Sequence, residues 1–488
     1  MALANEICRM DAVTLAEEIR RKALSPVEVT EAVLARIDRL DPILHAFATL
    51  TADAARSDAK RAEQKLMEGE ELGPLGGVPV SMKDLFFVKG TRTTFGSYAY
   101  KDFVPDEDDV AVERIREADA VVLGQTNVPE FGFSGCGHNP IFETTLSPWN
   151  TALTPGGSSA GSGAAVSTGM GPVSIGTDGG GSVRIPAAHS GLFGMKASFG
   201  RVPTYPGFRD ERYPGASGWE SLVHIGPITR TVADAALMLS VMAGPDDRDR
   251  HSLPKADFDW LGCVVQGKEE GLDGLRVGYS EDWGYAAVDP QVRAAVRSAV
   301  RVFERDLGCV VEEADPGWED PYGPFWAILC GETDLRGLRA MIAEHGERVS
   351  RHIVNFAARE WAAEDITDAS IARKAVYNKM WKFMRRYDIL LTPTLAVPPF
   401  PIHMQGPDKI EGRWVDPVYW LSFTFPLNMT GQPAASVPAG WTDDGLPIGL
   451  QIVCSHLDDP MVLRAAAAYE EAAPWADRWP PMLEELGL

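Results

Sequence analysis

Apolar residues recur at three- and four-residue steps in the first part of the chain, where Val29, Val33, Leu34, Ile37 and Leu40 share one helical face. Ser25-Pro26-Val27-Glu28 stands just ahead of them. A capping serine, a proline at the first helical position and a glutamate three residues on form a capping box. A second helix is predicted over 53–67, so residues 1–70 read as a helical segment packed on the rest of the chain. The period then changes. Gly76-Gly77-Val78-Pro79-Val80-Ser81-Met82 reads as a short buried strand running into Lys83. A helix over 112–118 and a strand over 120–123 come next.

From there the chain alternates. A helix of small residues is predicted over 159–168, a strand over 172–177, and a glycine turn at 178–181 that feeds a helix from Ser182. An apolar helix follows Thr231 and runs to Met242. Residues 272–387 carry strand, helix and strand signals of their own and then mostly helices, which suggests a cap-like insertion. Further strands are expected over 389–392, 434–437 and 446–453. This alternation predicts an α/β fold with a parallel or mixed sheet, residues 71–488 forming the main domain. Segments 204–219 and 398–417 are rich in proline, glycine and aromatics. They read as long surface loops, which in compact enzymes often line clefts.

Composition narrows the class. The formal net charge of −23 over 488 residues disfavours nucleic acid and anionic membranes as partners. Six cysteines are scattered without a Cys-x-x-Cys pair, as expected of a reduced, cytoplasmic protein. No apolar leader and no window of 18 apolar residues is present, so neither a signal peptide nor a membrane span is expected. Zinc-binding motifs, a Walker loop and a strand-linked G-x-G-x-x-G are also missing, so no metal or cofactor is expected. Nothing in the sequence separates a monomer from a homodimer.

The candidate chemistry lies in the Gly/Ser-rich run 154–184. Ser158 follows Gly156-Gly157, and Ser182 follows Gly179-Gly180-Gly181. Glycines let backbone N–H groups approach a ligand closely, and a serine at such a turn sits beside donors suited to an oxyanion. An isolated Gly-Gly-Ser is more often a helix cap, and a serine hydroxyl needs a base before it attacks. Among the nine histidines, His189 follows Ser182 by about two turns and reads better as a packed core residue. His138 sits in a loop that could line a pocket. Gly157-Ser158-Ser159-Ala160-Gly161 matches G-x-S-x-G with Ser159 central, but that elbow needs a strand before it, and 150–155 is not one. Lys83 is the alternative base. Burial at a strand end would lower its pKa and leave an amine able to accept a proton; alternatively it pairs with Asp84. The S-x-x-K matches at Ser57–Lys60 and Ser252–Lys255 lie in polar stretches and read as chance.

The run GGSSAGSGAAVSTGMGPVSIGTDGGGSVRIPAAHSGLFGMKASFGRVP resembles the amidase signature family. So do GVPVSMKDLF, DILLTPTLAVPP and FPLNMTGQPAASVPAGWTDDGLPIGLQIV, and the likeness extends over essentially the whole chain. The resemblance implies a large mixed twisted sheet covered by helices on both faces. It implies a Ser-cisSer-Lys triad: Ser182 as nucleophile, Ser158 (preceded by a cis peptide bond) as bridge, Lys83 as base. Gly179, Gly180, Gly181 and Ser182 would form the oxyanion hole. Ser159 and Thr177 would support the bridging serine and the turn. Asp178 and Arg184 would brace the loop as a pair, or else be unrelated surface charges. Gly179 stands where the family often has a bulkier residue, which suggests a more flexible or roomier loop.

Loops 135–142 and 398–420 are the expected pocket walls. Phe133, Cys136, Gly137, Ile141, Phe142, Phe400 and Trp420 are the candidate lining, and they favour an apolar or aryl substrate. The sequence is similar to stand-alone bacterial amidases acting on amides, aryl acylamides and carbamates (urethanes), so a small-molecule amide, carbamate or ester is the expected substrate. The alternative is the glutaminase subunit of a tRNA-dependent amidotransferase.

Overall fold

The structure is a computed structural model describing residues 2–216 and 218–488. In chain order the strands among them are β1 (Phe47–Leu50), β2 (Pro79–Lys83), β3 (Val121–Thr126), β4 (Val173–Asp178), β5 (Phe193–Lys196), β6 (His224–Thr229), β7 (Arg276–Tyr279), β8 (Val310–Glu313), β9 (Ile389–Pro393), β10 (Lys409–Ile410), β11 (Arg413–Trp414), β12 (Ala434–Trp441) and β13 (Pro447–Val453). All but β10 and β11 join one sheet of 11 strands, ordered β1-β3-β2-β4-β6-β5-β12-β13-β9-β7-β8. Strands β3, β2 and β4 are parallel, as are β9, β7 and β8, and the stretch between is antiparallel. The fold is thus α/β with a mixed sheet.

Helices flank the sheet because its parallel strands β3, β2 and β4 have no exposed face to offer water. Every residue of β2, β3 and β4 is buried, as expected of parallel strands covered on both sides. Helix Ala160–Ser167, made of glycine, alanine, serine and valine, packs on β4, β2 and β3, and Arg184–Ser190 packs on β12, β13 and β5. Helix Val232–Met242 lies on β6 and starts where Thr231 caps it, Oγ1 accepting the Asp234 N–H at 3.1 Å. Ser25 caps Pro26–Leu44 by accepting the Val27 and Glu28 N–H groups at 3.0 and 3.3 Å. Its hydroxyl donates to Glu63, and the reciprocal bond of the expected capping box, from the Ser25 N–H to the Glu28 carboxylate, is not formed among the described residues.

Three expectations need amendment. The first 70 residues contribute a strand as well as helices: β1 pairs antiparallel with β3 at the sheet edge. Four residues, FATL, are too few to show a period against the helices on either side. The segment 272–387 is divided. Its first half supplies β7 and β8 to the main sheet, while helices Tyr322–Gly331 and Arg351–Ala358 lie beside the glycine turn. Segment 398–417 is not all loop, because β10 and β11 form a small hairpin within it. In segment 204–219, Ser217 lies outside the described residues.

The pairing of β2 with β4 positions the site. Val80 stands beside Val173 and Met82 beside Ile175, so Lys83 and the Thr177-Asp178 pair leave the sheet together at parallel C-terminal ends. That edge is where open α/β sheets place ligands.

Candidate active site

Lys83 ends a strand with no exposed position and is itself fully buried. Its Nζ lies 2.7 Å from Ser158 Oγ, 2.8 Å from Thr177 Oγ1 and 3.2 Å from the Thr177 carbonyl. Burial pushes its pKa well below 10.5, and the nearby Asp178 charge offsets only part of that. A neutral amine has two N–H donors and one lone pair. Thr177 can take both donors, leaving the lone pair for the Ser158 hydroxyl. Asp84 is not the partner of Lys83. It accepts the Thr94 N–H at 2.9 Å and the Thr94 hydroxyl, and burial raises its pKa to about 7.

Ser158 follows a cis peptide bond from Gly157 and is 2% exposed. Gly132 presses on it: the backbone there has φ +68°, and a Cβ at that position would stand 3.1 Å from Ser158 Oγ. Sequence reasoning missed Gly132. Ser159 holds Ser182 rather than Ser158, its hydroxyl donating to the Ser182 carbonyl at 2.6 Å and its N–H reaching the same oxygen at 3.3 Å. The absence of a strand over 150–158 agrees with the rejection of an elbow at Ser159.

The turn behind Ser182 is held by buried charge. Asp178 and Arg184 have fully buried side chains, so the reading of them as surface charges is discarded. Arg184 uses all five of its N–H groups: Nε and Nη2 on Asp178 (3.0 and 2.9 Å), Nη2 on Asn428 Oδ1 (2.7 Å), and Nη1 on the Thr424 carbonyl and Gln451 Oε1 (3.0 and 2.7 Å). Burial alone would raise the Asp178 pKa. Arg184, Lys196 and the Asn428 amide together outweigh it and hold the carboxyl below its usual range.

Asp178 also accepts the N–H groups of Gly181 at 2.8 Å and Val183 at 3.2 Å. This corrects the expected oxyanion hole, because the Gly181 donor is already committed. The N–H groups of Gly179, Gly180 and Ser182 make no hydrogen bond among the described residues. Gly181 itself has φ +127°, and any side chain there would collide with Thr424. Nor is the loop roomier at Gly179, where the Trp219 ring fills the space, 3.1 Å from where a Cβ would be. The expected helix from Ser182 starts two residues later, as Arg184–Ser190.

Arg184→Met should therefore cost about 3–5 kcal/mol, because it strands a buried carboxylate. Arg184→Lys should recover little, since three donors cannot replace a five-donor fork. Urea denaturation checks this, and a loss under about 1 kcal/mol would remove Asp178–Arg184 as the anchor of the turn.

Ser182, Gly179, Gly180 and Gly132 open into a cleft of about 490 Å³. Its walls are aromatic: Phe133, Trp219, Phe325, Trp326, Phe356 and Phe425. Of the expected loops 135–142 and 398–420, Gly135, Gln405 and residues 416–418 reach it, and of the named candidate residues only Phe133 does. Cys136 lies buried beneath, burial raising its thiol to about 12, and Gly137 is packed against Ala160 and Thr145. Ile141 and Phe142 turn back on Asn139 Oδ1 (3.0 and 2.8 Å), the Phe142 ring lying under Arg92. Phe400 and Trp420 pack on each other and on His189, which stacks on Trp420 at 5.5 Å. They serve the core because their loop folds inward; the lining comes instead from helices whose apolar spacing reads as ordinary core. His189 meets the Val397 carbonyl, and burial lowers its pKa to about 4. His138 meets Gln405 at 2.6 Å and does not line the cleft.

Among the described residues no helix is long and apolar enough to cross a membrane, and no cluster of three or more His, Cys, Asp or Glu side chains is placed to hold a metal.

A family model for amidases matches residues 28–463. An acylamidase of Rhodococcus erythropolis is 37% identical over 96% of this chain and 97% of its own. A glutamyl-tRNA(Gln) amidotransferase subunit of Geobacter metallireducens is 33% identical over 94% and 96% of the two chains. The crystal structure of a bacterial aryl acylamidase of the amidase signature family superimposes with a TM-score of 0.88, at 34% identity, over 96% of this chain and 97% of that one. The chain belongs to the amidase signature family and is a hydrolase of amide C–N bonds.

Proposed function

We propose that the chain is a stand-alone amidase for apolar or aryl amides, working through Lys83, Ser158 and Ser182 by an acyl-enzyme. The observation that carries this is the aromatic cleft lined by Ser182 and by Gly132, the glycine that lies against Ser158, whose Oγ is 2.7 Å from Lys83 Nζ. Neutral Lys83 takes the Ser158 proton as Ser158 takes that of Ser182. The Ser182 oxygen attacks the acyl carbon, and the oxyanion is held by the N–H groups of Gly179, Gly180 and Ser182. The proton returns through Ser158 to the leaving amine. Water then repeats the path and releases the acid. A carbamate entering the same cycle would release its alcohol and leave a carbamoyl-enzyme, which water would free as a carbamic acid that splits into the amine and carbon dioxide.

The test is a panel of acetanilide, acetamide, a phenyl carbamate, a phenyl ester and glutamine. Burying a phenyl ring is worth about 2–3 kcal/mol, so kcat/KM should favour acetanilide over acetamide by about 30- to 150-fold. Phe356→Ala should cut that preference by raising KM. Equal rates on the two amides would end the aryl reading. Glutamine hydrolysis that appears only with an added subunit would favour the amidotransferase reading, which the relatives of that type keep in view.

A further inference from the structure

The aromatic cleft has one wall of a different character. Helix Arg351–Ala358 and the residue after it turn His352, Asn355, Phe356 and Arg359 toward the cleft at helical spacing, three, four and seven residues apart. Phe356 belongs to the aromatic lining. Asn355 and Arg359 are exposed at its side. Neither side chain makes a hydrogen bond or ion pair among the described residues. The Arg359 guanidinium is nevertheless held, lying 3.8 Å from the ring centroid of Trp361. The carboxylate of the cleft, Asp416, caps its own turn by accepting the Val418 N–H at 3.1 Å, and it is not within ion-pair distance of Arg359. In a chain of net charge −23, an arginine without a counter-ion beside an apolar cleft is a local positive point in a negative field.

We infer that Arg359, with the Asn355 amide one turn before it, receives a carboxylate on the substrate, so that the substrate class is aryl or alkyl amides carrying an acidic group away from the scissile bond. This rests on the aromatic cleft being the substrate pocket. The planar guanidinium fork matches a carboxylate with two parallel N–H donors, and stacking on Trp361 limits the freedom lost when the ligand arrives. The aromatic wall takes the hydrocarbon between the two polar ends.

The experiment measures binding to the Ser182→Ala protein, which leaves amides intact, by tryptophan fluorescence, since Trp219 and Trp326 line the cleft. Two matched pairs are compared. Glutaric acid monoanilide against its terminal carboxamide places the charge on the acyl side, and 4-acetamidobenzoate against 4-acetamidobenzamide places it on the leaving group. At least one carboxylate should bind about tenfold tighter than its amide, with a preference that shrinks as salt rises. Adding Arg359→Gln should abolish that preference, the acid losing far more affinity than the amide. Equal binding within both pairs, or a preference that survives Arg359→Gln, overturns the inference. Wild-type turnover separates the two readings. Binding with this preference but no turnover of any of the four removes the amidase substrate reading and leaves the anion site. Turnover without the preference does the reverse.

Discussion

Ser182→Ala should lower kcat on an aryl amide by about 10⁴-fold or more and leave the unfolding midpoint where it was. The two halves of this result have separate causes. The anchor of the turn is the Asp178–Arg184 pair and the Gly181 and Val183 N–H groups that donate to Asp178, none of which uses the Ser182 hydroxyl. The bonds from Ser159 end on the Ser182 carbonyl, which alanine keeps. The oxygen alone is removed, with it the covalent path, and the remaining N–H donors provide only residual catalysis. Ser158→Ala should cost a comparable factor, and the double variant should cost scarcely more than either single one, because residues acting as a relay are not additive. Rapid quenching followed by intact mass should find the acyl adduct in wild type and not in Ser182→Ala. Retention of more than about one hundredth of the rate would require another nucleophile. Ser159 is poorly placed to be one, its hydroxyl being spent on Ser182.

What the sequence made legible was local. Strand β2 ending at Lys83 and the glycine turn ending at Ser182 each occupy a few consecutive residues, where a change of period or a cluster of glycines is a visible signal. Asp178 and Arg184 are six residues apart, so their pairing could be entertained. Their other partners could not be placed by spacing: Thr424, Asn428 and Gln451 arrive from more than 200 residues away. The use of the Gly181 N–H was hidden for a related reason. Four successive donors look alike in sequence, and only the direction of the Asp178 carboxylate removes one of them. The pocket was the least legible part. Phe325, Trp326 and Phe356 lie in apolar helices, and apolar periodicity says that a face is covered without saying whether protein or substrate covers it. Phe400 and Trp420 sit in a loop composition that suggested a cleft, yet their rings pack against His189.

For a fixed aryl amide, kcat/KM should rise about tenfold per pH unit on its acid limb and then level, the bend marking the Lys83 pKa in the free enzyme. The sign follows from burial. The charged ammonium is the form that burial disfavours, so the neutral base becomes available at a pH well below 10.5, and it is lost as pH falls through the lowered pKa. Asp178 draws that pKa back upward, so neutralising it by Asp178→Asn should move the bend to lower pH while also loosening the turn. Stability carries the same sign. Between the lowered pKa and 10.5 the unfolded chain holds a proton on Lys83 that the folded chain does not, so the folded state gains stability as pH rises through that window. Lys83→Met separates base from structure. A methionine of similar length suits the fully buried site, so the variant should fold and lose this part of the pH dependence of stability. It should also lose about 10²- to 10⁴-fold in kcat, the usual worth of a positioned general base. A wild-type rate flat from about pH 5 to 9 would falsify Lys83 as the titrating base, unless its pKa lay below that range. The stability profile decides that case, since a base titrating lower still widens the window over which wild type and Lys83→Met diverge, whereas coincident profiles would mean that Lys83 stays charged in the fold and that the proton of Ser158 goes elsewhere.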